Sequence, residues 1–118
     1  MFKYNISHQD QTTVFELIGQ MSLEDSFHLR QAFFDEIKDA KPAVMIVDFS
    51  QVCKADAAML SLLIATKNVV ERHGARFVLR SIPQQEMLLF QNTSMNRYFE
   101  IEDDMRNKLD SRPQMQES

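Results

Sequence analysis

The stretch "VMIVDFSQVCKADAAMLSLL", residues 44–63, decides the fold of this chain. It begins with apolar residues that run unbroken to Asp48, a pattern typical of a β-strand covered on both faces. A short polar segment follows. Asp56 then precedes apolar residues at helical spacing, as an N-cap residue precedes a helix. A strand that passes into a helix in this way predicts a βα unit and therefore a parallel sheet.

The flanking sequence extends this unit in both directions, and the predicted order is β-β-α-β-α-β-α-β-α. The N-terminal strands are joined by the polar turn "HQDQT" and predict an antiparallel pair. Pro42 and Gly74 end the two long helices. The predicted elements are strands at 2–7 and 13–19, a helix at 22–41, a strand at 43–49, a helix at 57–74, a strand at 76–82, a helix at 84–93, a strand at 97–101 and a helix at 103–109.

This alternation predicts one α/β domain. We expect a mostly parallel β-sheet with one antiparallel N-terminal edge strand and about four helices packed on it. The 118 residues, 44% of them hydrophobic, suit a single core. The domain is predicted to span residues 1–110, and residues 111–118 are predicted to form a flexible polar tail.

Composition excludes several classes of function. The net charge of −4 and scattered basic residues argue against nucleic-acid binding. No apolar run approaches the ~20 residues that would cross a bilayer, so we expect no direct membrane insertion. One cysteine, Cys53, and an N-terminus without a signal-peptide core predict a cytoplasmic protein. Two glycines cannot build a phosphate-binding loop.

The sequence shows no set of catalytic residues. Its histidines lie far apart, with no cysteine or acid at ligand spacing, and predict surface positions rather than a metal site. Lys54 could lower the thiol pKa of Cys53, but no base accompanies that pair. The acidic run at 100–104 fits a solvated helix start better than paired catalytic carboxylates. We therefore expect no catalytic residue, no metal, no cofactor and no enzyme activity. The histidines are His8, His28 and His73.

The two long helices show apolar and polar faces. In the first, Leu29, Phe33 and Ile37 fall at helical spacing and predict core positions. Phe27 and Phe34 lie on a second face, as additional core or as an exposed contact that could support a dimer. Core packing is the favoured interpretation. In the second helix, a stripe of small and polar residues predicts an outward face: Ser61, Ala65, Asn68 and Arg72.

The segment 48–63 resembles the STAS family, the small domain of bacterial anti-sigma-factor antagonists and sulfate-transporter tails. That family shows Asp-Leu-Ser-x-Val at a strand end and Asp-Ser-x-Gly-Leu-x-x-Leu at a helix start. Here residues 48–52 read Asp-Phe-Ser-Gln-Val, and residues 56–63 read Asp-Ala-Ala-Met-Leu-Ser-Leu-Leu. The likeness covers residues 2–109. Upstream positions that fit the family are Gly19, Met21, Leu29 and Arg30.

Three positions depart from the family pattern. Ala57 stands where the family has the helix-opening Ser, Met59 where it has Gly, and Ser22 where an acid is common. The resemblance implies that the Ser is a phosphorylation switch. The unmodified domain binds a kinase-like anti-sigma factor, and the phosphorylated domain releases it. Ala57 has no hydroxyl to modify, so the chain is either a natural non-switching member or one altered at this position.

The helix start also has an ordinary structural interpretation. Asp56 as an N-cap contributes about 1 kcal/mol, and alanines simply suit the first turn. A phosphoryl group there would add about −1.5 to −2 charge. Its own helix would tolerate this charge. A partner packed on the helix start would meet new bulk and like charge.

The resemblance implies a non-enzymatic regulatory protein-binding module in a partner-switching pathway. Its partner would be a kinase-like anti-sigma factor or a related serine kinase/phosphatase regulator. The alternative is a STAS subunit that docks on the ATPase of a lipid-transport ABC complex. The oligomeric state stays open. The predicted partner-binding residues are Ser22, Lys54, Asp56, Ala57, Ala58, Ser61 and Ala65.

Overall fold

A computed structural model describes residues 1–102 of the chain. These residues form five strands and four helices. In chain order they are β1 (Phe2–Gln9), β2 (Thr12–Gly19), α1 (Leu23–Asp39), β3 (Val44–Val52), α2 (Ala57–Arg72), β4 (Arg76–Arg80), α3 (Gln84–Asn92), α4 (Met95–Tyr98) and β5 (Glu100–Glu102).

The strands form one mixed sheet in the order β1-β2-β3-β4-β5. β1 runs antiparallel to β2, with Phe2 opposite Gly19. Every other neighbouring pair is parallel. The structure confirms the predicted fold class, a single α/β domain with one antiparallel edge strand at the N-terminus.

The core lies between one face of the sheet and the helices. The register aligns Phe15, Val47 and Leu79 across the three central strands, and none of them is exposed. The ring of Phe33 from α1 lies 4.6 Å from that of Phe15. Tight contact of this kind makes each core side chain sensitive to changes in volume. The predicted core stripe of α1 is buried.

The C-terminal part of the described chain differs from the prediction. Arg97 and Tyr98, predicted as strand, lie in α4, and β5 begins only at Glu100. In α4 the Tyr98 hydroxyl donates to Asn68 Oδ1 of α2 at 3.0 Å, a contact outside the sheet. Aromatic residues favour strands in general, but strand propensity depends strongly on the tertiary contacts of the side chain. The predicted helix at 103–109 and tail at 111–118 lie outside the described residues.

β3 is longer and less covered than predicted. It continues to Val52, three residues past the predicted end, and its register with β2 shifts between Glu16 and Ile18. One additional residue of β3 fits into this irregularity, as in a β-bulge. On the face away from the core, Val44 and Ile46 are half-buried. Full cover on both faces is therefore not observed within residues 1–102.

Asp48 and Arg80 form a cross-strand ion pair on that second face. Asp48 is 7% exposed, and its Oδ2 accepts from Arg80 Nε at 3.0 Å. Its Oδ1 accepts the Ser50 backbone N–H at 2.8 Å. Burial acts to raise the pKa of the Asp48 carboxyl, but the hydrogen bonds from Ser50 and Arg80 outweigh it and hold this pKa below its ordinary value.

We expect Asp48→Asn to lower the free energy of unfolding at neutral pH by about 1–3 kcal/mol, because Ser50 and Arg80 lose a charged acceptor. The depressed pKa means that the carboxylate stabilises the fold above the ordinary value of 3.8 and that this contribution is lost below it. Urea unfolding measured from about pH 7 to about pH 3 should therefore show that the free energies of unfolding of the unaltered chain and of Asp48→Asn become more similar as the pH falls. A difference in free energy that does not change with pH would contradict the stabilising role of the Asp48 carboxylate.

Candidate functional site

Two loops meet at the carboxyl edge of the parallel strands, where functional sites of α/β sheets usually lie. The loop after β2 leads into α1, and the loop after β3 leads into α2. The two loops are joined by a hydrogen bond from the Cys53 N–H to the Gly19 carbonyl oxygen, at 3.0 Å. Gly19 has a φ of +95°, and an added Cβ would lie 2.1 Å from the Met1 carbonyl oxygen. Only glycine fits this crossing point.

The start of α2 is accessible. Ala57 is the first residue of the helix, and its side chain is exposed. Asp56 is the N-cap, and its Oδ1 accepts the Met59 N–H at 3.1 Å. Among residues 1–102, the backbone N–H groups of Ala57 and Ala58 have no protein acceptor. Position 57 therefore has free backbone N–H donors and is accessible to the surface of a binding partner.

A charged residue from α3 holds the loop that precedes this helix start. Glu86 is only 9% exposed, and its Oε1 accepts the Ala55 N–H at 2.8 Å. The loop needs such support because Lys54 adopts a φ of +57°, in the left-handed region. Lys54 itself is exposed beside the helix start. Sequence reasoning missed Glu86, since nothing local marks a partner 31 residues away.

We expect Glu86→Ala to lower the free energy of unfolding by about 1–2 kcal/mol, because the N–H of the half-buried Ala55 loses its acceptor. The matched control is Glu86→Gln, which keeps an acceptor oxygen and should retain most of the stability. Hydrogen exchange would locate the effect: the Ala55 amide should exchange faster in the Ala variant only. Unchanged exchange at Ala55 would contradict the role of Glu86 in fixing this loop.

Ser22 lies at the same edge as the N-cap of α1. Its hydroxyl accepts the Asp25 N–H at 3.1 Å, and Asp25 Oδ2 accepts the Ser22 N–H at 2.9 Å. This reciprocal pair is a capping box. The backbone hydrogen bond from Ser22 is the main cause that holds the pKa of the Asp25 carboxyl below its usual range. The structure thus gives Ser22 a capping role, and its contact with a partner remains a prediction.

An open groove of about 220 Å³ runs between the two helices that begin at this edge. We call it the α1–α2 groove. From α1 it is lined by Leu23, Ser26, Phe27 and Arg30. From α2 it is lined by Ala58, Ser61, Leu62 and Ala65. The structure therefore brings three of the predicted partner-binding residues into one surface.

The α1 half of the groove was not predicted. Phe27 is 63% exposed, so the interpretation of this ring as core is wrong. Two residues before Leu29, it points about 200° away from the buried stripe of α1. Phe34 is half-buried, with the Arg30 guanidinium 5.2 Å from its ring centre. Leu23 at the start of α1 is 66% exposed. The sequence signal for this exposed face was that Phe27 and Phe34 are seven residues apart and lie off the buried stripe of α1.

None of the residues that line the α1–α2 groove is a His, Cys, Asp or Glu. Within residues 1–102, no three His, Cys, Asp or Glu side chains lie close enough to hold a metal ion. His8 contacts Glu36 Oε2 at 2.5 Å, and His73 contacts the Val69 carbonyl oxygen at 2.9 Å. Both lie at the opposite edge of the sheet. No helix in the described part of the chain has the length and apolar composition to cross a bilayer.

Comparison with known proteins identifies the family. A family model described as STAS domain matches residues 3–109. An anti-sigma factor antagonist from Mycobacterium paratuberculosis superimposes with a TM-score of 0.79 at 17% identity, covering 94% of this chain and 93% of that one. The anti-sigma factor antagonist SpoIIAA, unphosphorylated, gives 0.78 at 15% identity, covering 95% and 96%. A phosphorylated form of SpoIIAA from Bacillus gives 0.71 at 15% identity, covering 91% and 96%. No curated protein sequence matches the chain.

Proposed function

Because the chain belongs to the STAS domain family, we propose that it is a regulatory protein-binding module of the anti-sigma-factor antagonist type. Its partner is a kinase-like anti-sigma factor or a related serine kinase/phosphatase regulator. The observation that carries the proposal is the exposed start of α2, where Ala57 opens the helix beside the α1–α2 groove.

The size of the side chains at this surface supports close docking. Ala58 and Ser61 are exposed, and Ala65 is half-buried one turn further along α2. Small side chains let a partner's backbone and side chains approach the helix closely, and they lose little conformational entropy on binding. Asp56 and Lys54 place opposite charges next to this surface, which favours one orientation of the partner.

Ala57 defines the regulatory state that we propose. A related protein, SpoIIAA, exists in unphosphorylated and phosphorylated forms. In this chain the residue at the start of α2 has no oxygen that could accept a phosphoryl group. The module therefore stays in the unmodified, binding-competent state, and control of its pathway comes from the partner or from the amount of this protein.

Affinity capture from the cell that encodes the chain tests this function. The tagged chain is incubated with extract, and the retained proteins are identified by mass. We expect a protein with a kinase-like ATP-binding fold, which should also bind the purified chain in a direct titration. Retention of an ATPase together with a permease would instead support the lipid-transport alternative. Failure of any retained protein to bind directly would contradict the proposal.

A further inference from the structure

The α1 rim of the groove exposes two large apolar side chains that the fold does not need. Leu23 and Phe27 are 66% and 63% exposed and lie one helical turn apart. A single exposed ring is ordinary, but this ring borders an open groove whose far wall carries Ala58 and Ala65. Contiguous exposed apolar surface of this kind marks a site of protein contact.

We propose that this surface binds a second copy of the same chain. Two α1 helices would run antiparallel across a two-fold axis near Phe27, and each Phe27 ring would enter the α1–α2 groove of the other copy. In a two-fold interface one patch contacts itself, so it must carry both complementary shapes. Here the projecting ring and the hollow that receives it lie side by side on one surface.

The charges on α1 fit the same arrangement. Glu24 lies three residues before Phe27 and Arg30 three residues after it, and both are exposed. An antiparallel pair centred on Phe27 brings Glu24 of each copy opposite Arg30 of the other. A parallel pair would place like charges together, which opposes binding. Arg30 is also stacked over Phe34, with its guanidinium 5.2 Å from the ring centre, and so is held at the rim.

The proposed dimer has a consequence for regulation. The ring of one copy would cover Ala58 and Ser61 of the other, the same residues that we propose for the regulatory partner. Self-association and partner binding would then compete for one surface. The dimer itself needs only this chain, so its test is independent of the proposed function.

Sedimentation equilibrium of the purified chain tests the dimer, from about 1 µM to about 1 mM, the range in which small interfaces assemble. We expect a monomer–dimer equilibrium that Phe27→Glu weakens at least about tenfold, because an aromatic anchor is replaced by a charge. The matched control is Leu88→Glu. Leu88 is 53% exposed on α3, away from the groove, and its substitution should leave the equilibrium unchanged.

Charge reversal tests the antiparallel register. Glu24→Arg alone and Arg30→Glu alone should each weaken the dimer by about fivefold, because like charges then face each other twice. The double variant should restore the affinity to within about twofold. Thermal unfolding would verify that each variant is folded. The proposal would be overturned if the chain shows only the monomer mass at every concentration. It would also be overturned if Phe27→Glu leaves the dimer intact, or if the double variant does not recover the affinity.

Discussion

Ala58→Arg is expected to weaken binding of the regulatory partner by at least about 100-fold, or about 2.7 kcal/mol, while the domain stays folded. Ala58 is exposed in the first turn of α2 and lines the α1–α2 groove. A long charged side chain there would occupy the space in which we propose that the partner packs. Its charge would also have to be desolvated on binding. Titration of the purified partner would measure the loss.

A matched control separates this effect from a general change in charge. Gln9→Arg adds the same charge at the end of β1, an exposed position at the opposite edge of the sheet, and should leave the affinity unchanged. Ala58→Gln adds bulk without charge, and its affinity for the partner should lie between those of Ala58→Arg and Gln9→Arg. Circular dichroism would verify that every variant folds, since Arg in a first helical turn costs only about 0.3–1 kcal/mol. Equal affinity for Ala58→Arg and Gln9→Arg would place the partner elsewhere.

The order of elements from β1 to α3 could be predicted because hydrophobic periodicity reports it directly, whereas the short helix α4 was not predicted. The apolar run before Asp48 and the helical spacing after Asp56 defined the central βα unit, and both elements are present. Boundaries were less accurate where tertiary contacts decide them. Tyr98 has a strand-forming side chain, but it lies in α4, where its hydroxyl is hydrogen-bonded to Asn68. Local propensity cannot anticipate a partner 30 residues away.

Three residues on the α2 side of the groove could be predicted, and the α1 side could not. Ala58, Ser61 and Ala65 are marked in the sequence because small and polar residues interrupt an apolar helix. Leu23 and Phe27 are apolar, and apolar residues normally predict the core. The position of Phe27 off the core stripe left its exposure open but did not decide it. Glu86 could not be predicted for another reason. Its role depends on one hydrogen bond to Ala55, which is 31 residues away in the sequence. The candidate surface therefore combines residues that the sequence pattern predicts with residues that it does not.

Ala57→Ser is expected to create a phosphorylation site where the chain has none. Position 57 is exposed at the first residue of α2, so a kinase can reach it. Within residues 1–102, the neighbouring backbone N–H groups lack acceptors and would stabilise the phosphate. Incubation with the cognate serine kinase and ATP should add the mass of one phosphate to the Ser variant and none to the unaltered chain.

Phosphorylation of Ala57→Ser should then control its binding to the partner. Unmodified Ala57→Ser should bind the partner within about twofold of the unaltered chain, and the phosphorylated form at least about 100-fold more weakly. The added charge of about −2 lies next to the Asp56 carboxylate and faces the docked surface. Ala58→Ser is the matched control, because it offers a hydroxyl one residue away and should stay unmodified. Absence of a phosphate on Ala57→Ser, or undiminished binding once it is present, would show that this helix start is not the point of control.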